Sequence, residues 1–172
     1  MNKKGFTLVE LLIVIAIIAI LAAVIFVALD PATRFADARD STRSNDVGEI
    51  LSAVKIDQID NGGSYLVSIE AMTDGEVYMM VNGASMAAGC DDNNAACDTN
   101  VTKDTHCVNV AGLVTEGYLS GFPVSPTGAV TWDDGDTAGE EGSGYTLSKS
   151  ATGVVTVRAC ESENTTEISV SR

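Results

Sequence analysis

The stretch Lys3-Lys4-Gly5-Phe6-Thr7-Leu8-Val9-Glu10, with the apolar run Leu11–Leu29 behind it, decides how the rest of the chain is read. The run holds 19 residues without one polar or charged side chain. As a helix rising ~1.5 Å per residue it spans roughly 29 Å, the depth of one bilayer core. A single carboxylate, Glu10, stands at its start. Left unpaired in lipid, an acid there costs on the order of 2.5–3.5 kcal/mol. Lys3 and Lys4 place the N-terminus in the cytoplasm by the positive-inside bias, and everything after the run outside.

Two ordinary readings each leave something over. A cleaved signal peptide has a shorter apolar region followed by a small-x-small site. Here the run is long, and its end, Phe26-Val27-Ala28-Leu29-Asp30-Pro31, is a poor cleavage site. A plain single-pass anchor accounts for the length and the lysines. It does not account for Glu10, or for the ordered series Gly5-Phe6-Thr7-Leu8-Val9-Glu10.

The segment Lys3-Lys4-Gly5-Phe6-Thr7-Leu8-Val9-Glu10-Leu11-Leu12-Ile13-Val14-Ile15-Ala16 resembles the class III signal of type IV pilins and type II secretion pseudopilins over about 25 residues. The resemblance implies that residues 1–5 are a leader. A prepilin peptidase would cut between Gly5 and Phe6 on the cytoplasmic side, and the new amine of Phe6 would be N-methylated. The apolar helix would stay on the mature chain. It would be held in the membrane until an inner-membrane assembly platform moves it into a homo-oligomeric helical filament. The family gives Glu10 an assembly role, pairing with the Phe6 amine of a neighbouring subunit. The physical reason is sound, because a buried unpaired charge is far costlier than a paired one.

Asp30-Pro31 ends the apolar run. Pro31 cannot donate to the carbonyl of Val27, so the helix kinks or breaks there, and Asp30 and Pro31 suit an N-cap and first residue for a restart. Residues 31–61 read as an amphipathic continuation. Arg34/Asp37, Asp40/Arg43 and Arg43/Asp46 fall at i,i+3 spacing, expected as ion pairs on a solvated face. Val47, Ile50, Leu51 and Val54 make an apolar stripe that should pack on a sheet. Asn61-Gly62-Gly63 is a stop signal.

Residues 62–172 read as an exported β-rich head. Strands are expected at Tyr65–Ile69, Val77–Val81 and Cys107–Val110, with a final one at Glu167–Ser171. The clearest pair is Gly144–Lys149 and Val154–Cys160, joined by the hairpin signal Ser150-Ala151-Thr152-Gly153. Helix first and antiparallel strands after it make the fold class α+β, a long N-terminal helix packed on a C-terminal sheet, as in pilins.

The chain has 172 residues and a formal net charge of −14. From Gly62 onward 16 acids face four cations. Such a surface repels phosphate backbones, so direct nucleic-acid binding by the head is not expected. Cys90, Cys97, Cys107 and Cys160 all follow the apolar run. An even count in an exported domain reads as two disulfides. Three pairings are open; the preferred set closes a short Cys90–Cys97 loop and ties Cys107 to Cys160. Zinc is a poor fit, since there is no Cys-x-x-Cys pair and the lone His106 abuts Cys107.

Two further sites are candidates. The acidic, glycine-rich loop from Trp132 to Gly142 offers Asp133, Asp134 and Asp136 as oxygen ligands for calcium, the one cofactor considered. Its simpler reading is a solvated surface. Asp98-Thr99-Asn100-Val101-Thr102 contains a glycosylation sequon at Asn100, and Asn164-Thr165-Thr166 is a second short match. No phosphate-binding loop occurs, Gly83-Ala84-Ser85-Met86-Ala87 lacks the second glycine of a nucleophile elbow, and His106 has no motif around it. No catalytic constellation is seen, and an enzyme is not expected.

The expectation is a structural subunit of a type IV pilus, a membrane precursor first and then part of a cell-surface or periplasmic filament. A type II secretion pseudopilin is the alternative within the family. A membrane-anchored surface binding protein that never polymerises is the alternative outside it.

Overall fold

The computed structural model describes residues 5–83, 93–103, 106–132 and 142–172. In chain order they form α1 (Leu8–Leu29), α2 (Pro31–Asp60), α3 (Val67–Glu70), β1 (Val77–Val81), a 3-10 turn at Asn94–Ala96, β2 (Val108–Asn109), α4 (Ala111–Thr115), β3 (Tyr145–Lys149), β4 (Val155–Ala159) and β5 (Ser169–Ser171). The chain divides into two compact units, Met1–Phe35 and Ala36–Arg172.

The first unit is α1 and the start of α2. None of the 22 residues of α1 is buried. At its end Asp30 takes a left-handed backbone, φ 38 and ψ 72, and α2 begins at Pro31. Thr33 donates to the Asp30 carboxylate at 2.7 Å, and the Arg34 N–H reaches the Asp30 carbonyl at 3.3 Å. Proline has no N–H to continue the ladder of α1, while its fixed φ suits the first position of a new helix.

The second unit is α+β and pilin-like. The stripe Val47, Ile50, Leu51 and Val54 is buried in one cluster with Tyr145, Leu147, Val155 and Val157 of the sheet. At about 1.5–3 kcal/mol for each fully buried aliphatic side chain, this seam is the main apolar support of the head. The helix ends where Gly62 and Gly63 take φ of 67° and 104°, which only glycine adopts cheaply. The Gly63 N–H turns back to the Gln58 carbonyl at 2.7 Å. Buried Asp57 fixes the reversal by accepting from the Leu66 N–H at 2.9 Å and the Asn61 amide at 2.8 Å.

The sheet order is β2-β1-β3-β4-β5. The β3–β4 hairpin pairs Leu147 with Val157 and Lys149 with Val155. Its turn has Gly153 at φ 81. All five residues of β1 are buried. Alternation explains how: Tyr78 and Met80 join the helix-side cluster, while Met79 and Val81 join a second cluster with Trp132 and three cysteines. The strand is thus covered on both faces, and its sequence Val-Tyr-Met-Met-Val is unbroken by polar residues for that reason.

Three expectations need correction. Tyr65–Ile69 is not a strand; it leads into the short helix α3. Ile69 is buried and Val67 is 84 % exposed, and the Ile69 and Glu70 N–H groups both turn back to the Leu66 carbonyl. The chain reverses too soon after α2 for an extended segment there. The sheet is not wholly antiparallel, because β2 pairs with β1 in parallel, Met80 opposite Val108. The preferred disulfide pairing is also wrong. Cys97 is bonded to Cys160. The Asp98 N–H donates to the Cys160 carbonyl at 2.7 Å, which lays residues 97–98 along the end of β4. Cys107 is likewise disulfide-bonded, and Cys90 lies outside the described residues.

Candidate functional site

Gly5, Phe6 and Thr7 lie outside regular structure, and all three are exposed. The Gly5–Phe6 bond thus sits ahead of the helix in an exposed segment. A Cβ built on Gly5 meets nothing within 4 Å. The helix starts immediately afterwards because Thr7 and Glu10 form a reciprocal cap. The Glu10 N–H donates to the Thr7 hydroxyl at 3.2 Å, and the Thr7 N–H donates to Glu10 Oε2 at 2.8 Å. The Thr7 hydroxyl also donates to Oε2, at 2.7 Å. This satisfies two of the four orphan donors at the helix start.

The electrostatics of this end follow from its position. A helix N-terminus carries a partial positive charge that favours a carboxylate in the first turn. A free amine on Phe6 would add positive charge to the same pole. Glu10, three residues past the cap, is the one acid in that turn. Beyond it α1 presents Leu, Ile, Val, Ala and Phe on every side, and none of its residues is buried. It is long and apolar enough to cross a membrane.

The second notable cluster lies in the head. Arg43 of α2 is fully buried. Its Nη1 donates to Asp40 at 2.8 Å and to Glu163 at 2.7 Å, its Nε to the Ser125 hydroxyl at 3.1 Å, and its Nη2 to the Pro126 carbonyl at 3.0 Å. Glu161 stands 3.4 Å from Nη2 and accepts from the Ala129 N–H. Asp40 in turn accepts from the backbone N–H groups of Glu163 and Asn164. Arg39 makes a two-pronged pair with Glu163. That bond with Arg39, and then the one with Arg43, holds the Glu163 carboxyl down at about 2. Burial opposes the charge on Arg43, but the bonds from Glu163 and Asp40 outweigh it and raise its pKa. This cluster binds α2, the 125–129 loop and the segment after β4 together. It is a structural clasp.

Sequence reading found only the Asp40/Arg43 spacing and placed it on a solvated face. The structure buries that pair and gives Asp46 to the Tyr145 hydroxyl instead. Arg39, Ser125, Glu161 and Glu163 were missed. The one available signal was the acid pair Glu161 and Glu163 directly after a cysteine, and nothing local linked it to α2.

Asp133, Asp134 and Asp136, the candidate calcium ligands, lie outside the described residues. Among the described residues no group of three or more His, Cys, Asp or Glu is placed to hold a metal ion. Asn100 is exposed. The Thr102 hydroxyl beside it accepts from the Val77 N–H at 2.8 Å, which ties the sequon to the start of β1. Asn164 of the second sequon donates its amide to Asp37 at 2.7 Å.

Residues 1–26 match the family model for the prokaryotic N-terminal methylation motif. No curated protein and no solved structure matches the chain significantly. The matched segment contains the open Gly5–Phe6 bond, the Thr7–Glu10 cap and most of α1. An exposed apolar helix under this signal, ahead of an α+β head, fits a membrane-anchored precursor. The chain carries the class III signal of the type IV pilin and pseudopilin family, and its fold is pilin-like.

Proposed function

We propose that the chain is a structural subunit of a type IV pilus, cut between Gly5 and Phe6, methylated at Phe6, and polymerised through α1. The observation that carries the reading is that no residue of α1 is buried, while the head has a core of its own. Twenty-two residues of that composition need a continuous apolar cover. A bilayer supplies it before assembly, and the helices of other copies supply it afterwards. Glu10 tolerates the second environment if the Phe6 amine of a neighbour lies against it. The long, disulfide-stapled head favours a surface pilus over the short filament of a secretion system.

The test is Glu10→Val in the native host. The precursor should still insert, and sheared filaments seen by electron microscopy should be lost. Filaments at normal yield would refute the assembly role. A protein found in the wild type only as monomers, uncut at Gly5, would favour the bare-anchor alternative.

A further inference from the structure

Residues 97–102 form a strap that is fastened along its length. Cys97 is bonded to Cys160, and the Asp98 N–H donates to the Cys160 carbonyl at 2.7 Å. The Thr99 hydroxyl donates to Glu167 Oε1 at 2.6 Å. Val101 is buried with Trp132 and three cysteines. The Thr102 N–H donates to the Val77 carbonyl at 3.0 Å, and the Thr102 hydroxyl accepts from the Val77 N–H at 2.8 Å. Asn100 is the exception. It is exposed, and among the described residues no hydrogen bond holds its side-chain amide.

Asn100-Val101-Thr102 is an acceptor sequence for N-glycosylation, an amide two residues before a hydroxyl with no proline between them. Such acceptors act on the surface of exported chains, and the positive-inside bias puts this one outside. Asp98 stands two positions ahead of Asn100, where bacterial transferases of this kind read an acid; the residue at that place before Asn164 is Ser162. Asn164 is also built into the clasp. Its backbone N–H donates to Asp40 at 2.8 Å and its side-chain amide to Asp37 at 2.7 Å, so a sugar there would crowd α2. A sugar on Asn100 displaces no bond of the fold.

We propose that Asn100 carries an N-linked oligosaccharide, transferred before the strap docks on β1. The donor is an oligosaccharide on a polyprenyl diphosphate. The bond from its anomeric carbon to the diphosphate oxygen breaks, a bond from that carbon to Asn100 Nδ2 forms, and one amide proton passes to a base of the transferase. The polyprenyl diphosphate leaves. The order follows from Thr102. A transferase has to hold the amide and the hydroxyl in one extended segment, and in the fold both that hydroxyl and the Thr102 N–H are engaged by Val77. The Cys97–Cys160 bond fastens the other end of the segment. The step needs only an exported head, so it rests on the membrane-anchored precursor and not on polymerisation.

The experiment is peptide mass spectrometry of the full chain purified from its own cells. The peptide containing Asn100 should carry the added mass of an oligosaccharide and release sugar fragment ions, and the peptide containing Asn164 should have its bare sequence mass. An Asn100 peptide at its bare mass, or a glycan on Asn164 in its place, would overturn the proposal. Asn100→Gln should lose the glycan, while cleavage at Gly5 and the emission of Trp132 stay as in the wild type, which separates this result from the assembly reading. Thr102→Ser should keep the glycan and Thr102→Val should lose it; a glycan that survives Asn100→Gln would place the site elsewhere. The order is tested on unmodified chain made in cells without a transferase. It is offered to a bacterial oligosaccharyltransferase with its polyprenyl diphosphate-linked donor. The folded, oxidised chain should be glycosylated about tenfold or more slowly than the reduced and unfolded chain, because the fastened strap has to open first. Equal rates would overturn the stated order.

Discussion

The Arg43 guanidinium donates to the Glu163 carboxylate at 2.7 Å, across 120 residues of sequence. This bond joins the helix to the last part of the head. Arg43→Met should therefore strand Asp40, Glu161 and Glu163 around an apolar side chain. Breaking a buried pair from one side costs about 3–5 kcal/mol. Asp74→Asn is the contrast, since Asp74 is 47 % exposed and 3.6 Å from Lys149. It should cost about 0–1 kcal/mol. Denaturant titration of the full chain, followed by the emission of the single Trp132, measures both.

Acid should loosen the same clasp. The bonds to Arg39 and Arg43 hold Glu163 at about 2, against an ordinary 4.5. A carboxyl depressed in the folded state contributes stability above its unfolded pKa, and that contribution fades as pH falls toward the folded value. Stability should thus drop from about pH 4.5 to about pH 2, in the window that linkage sets for this group. Glu163→Gln should flatten that part of the profile while lowering stability at neutral pH.

The Cys97–Cys160 bond closes a separation of 63 residues. In the chain-entropy account, a loop of that length is worth about 4 kcal/mol. A Cys97→Ser, Cys160→Ser double variant should lose stability of that order. Non-reducing peptide mapping should recover a Cys97–Cys160 peptide. A Cys107–Cys160 peptide in its place would contradict the fold around β4.

Gly128 has no room for a side chain. A Cβ there would stand 2.3 Å from Glu161 Oε1 and 2.7 Å from Arg43 Nη2. Gly128→Ala should cost about 1–3 kcal/mol by crowding the clasp. Gly121→Ala is the control, with nothing within 4 Å of its Cβ. Thermal melting of the two variants side by side checks this.

Much of the architecture was legible because its signals are local. The apolar run, the stripe Val47-Ile50-Leu51-Val54, the Asn61-Gly62-Gly63 stop and the β3–β4 hairpin each depend on residues close in sequence. Tyr65–Ile69 was misread because its composition suits a strand, while Asp57 and the tight turn after α2 decide otherwise. The disulfide pairing was misread because loop length says nothing about which strand end meets which. The clasp was invisible for the same reason: Arg43, Ser125 and Glu163 come together only once the sheet has formed. At the N-terminus the reverse holds. Gly5, Phe6 and Glu10 are few residues apart, and their order and spacing carry the resemblance on which the proposed roles rest.

The claim on which the account depends is that the opening stretch is a processing and assembly element. N-terminal sequencing and intact mass of the chain in filaments sheared from cells test it most directly. The chain should begin at Phe6, carry one added methyl group on its amine, and retain all of α1. A chain beginning at Met1, or one starting beyond Leu29, would contradict it.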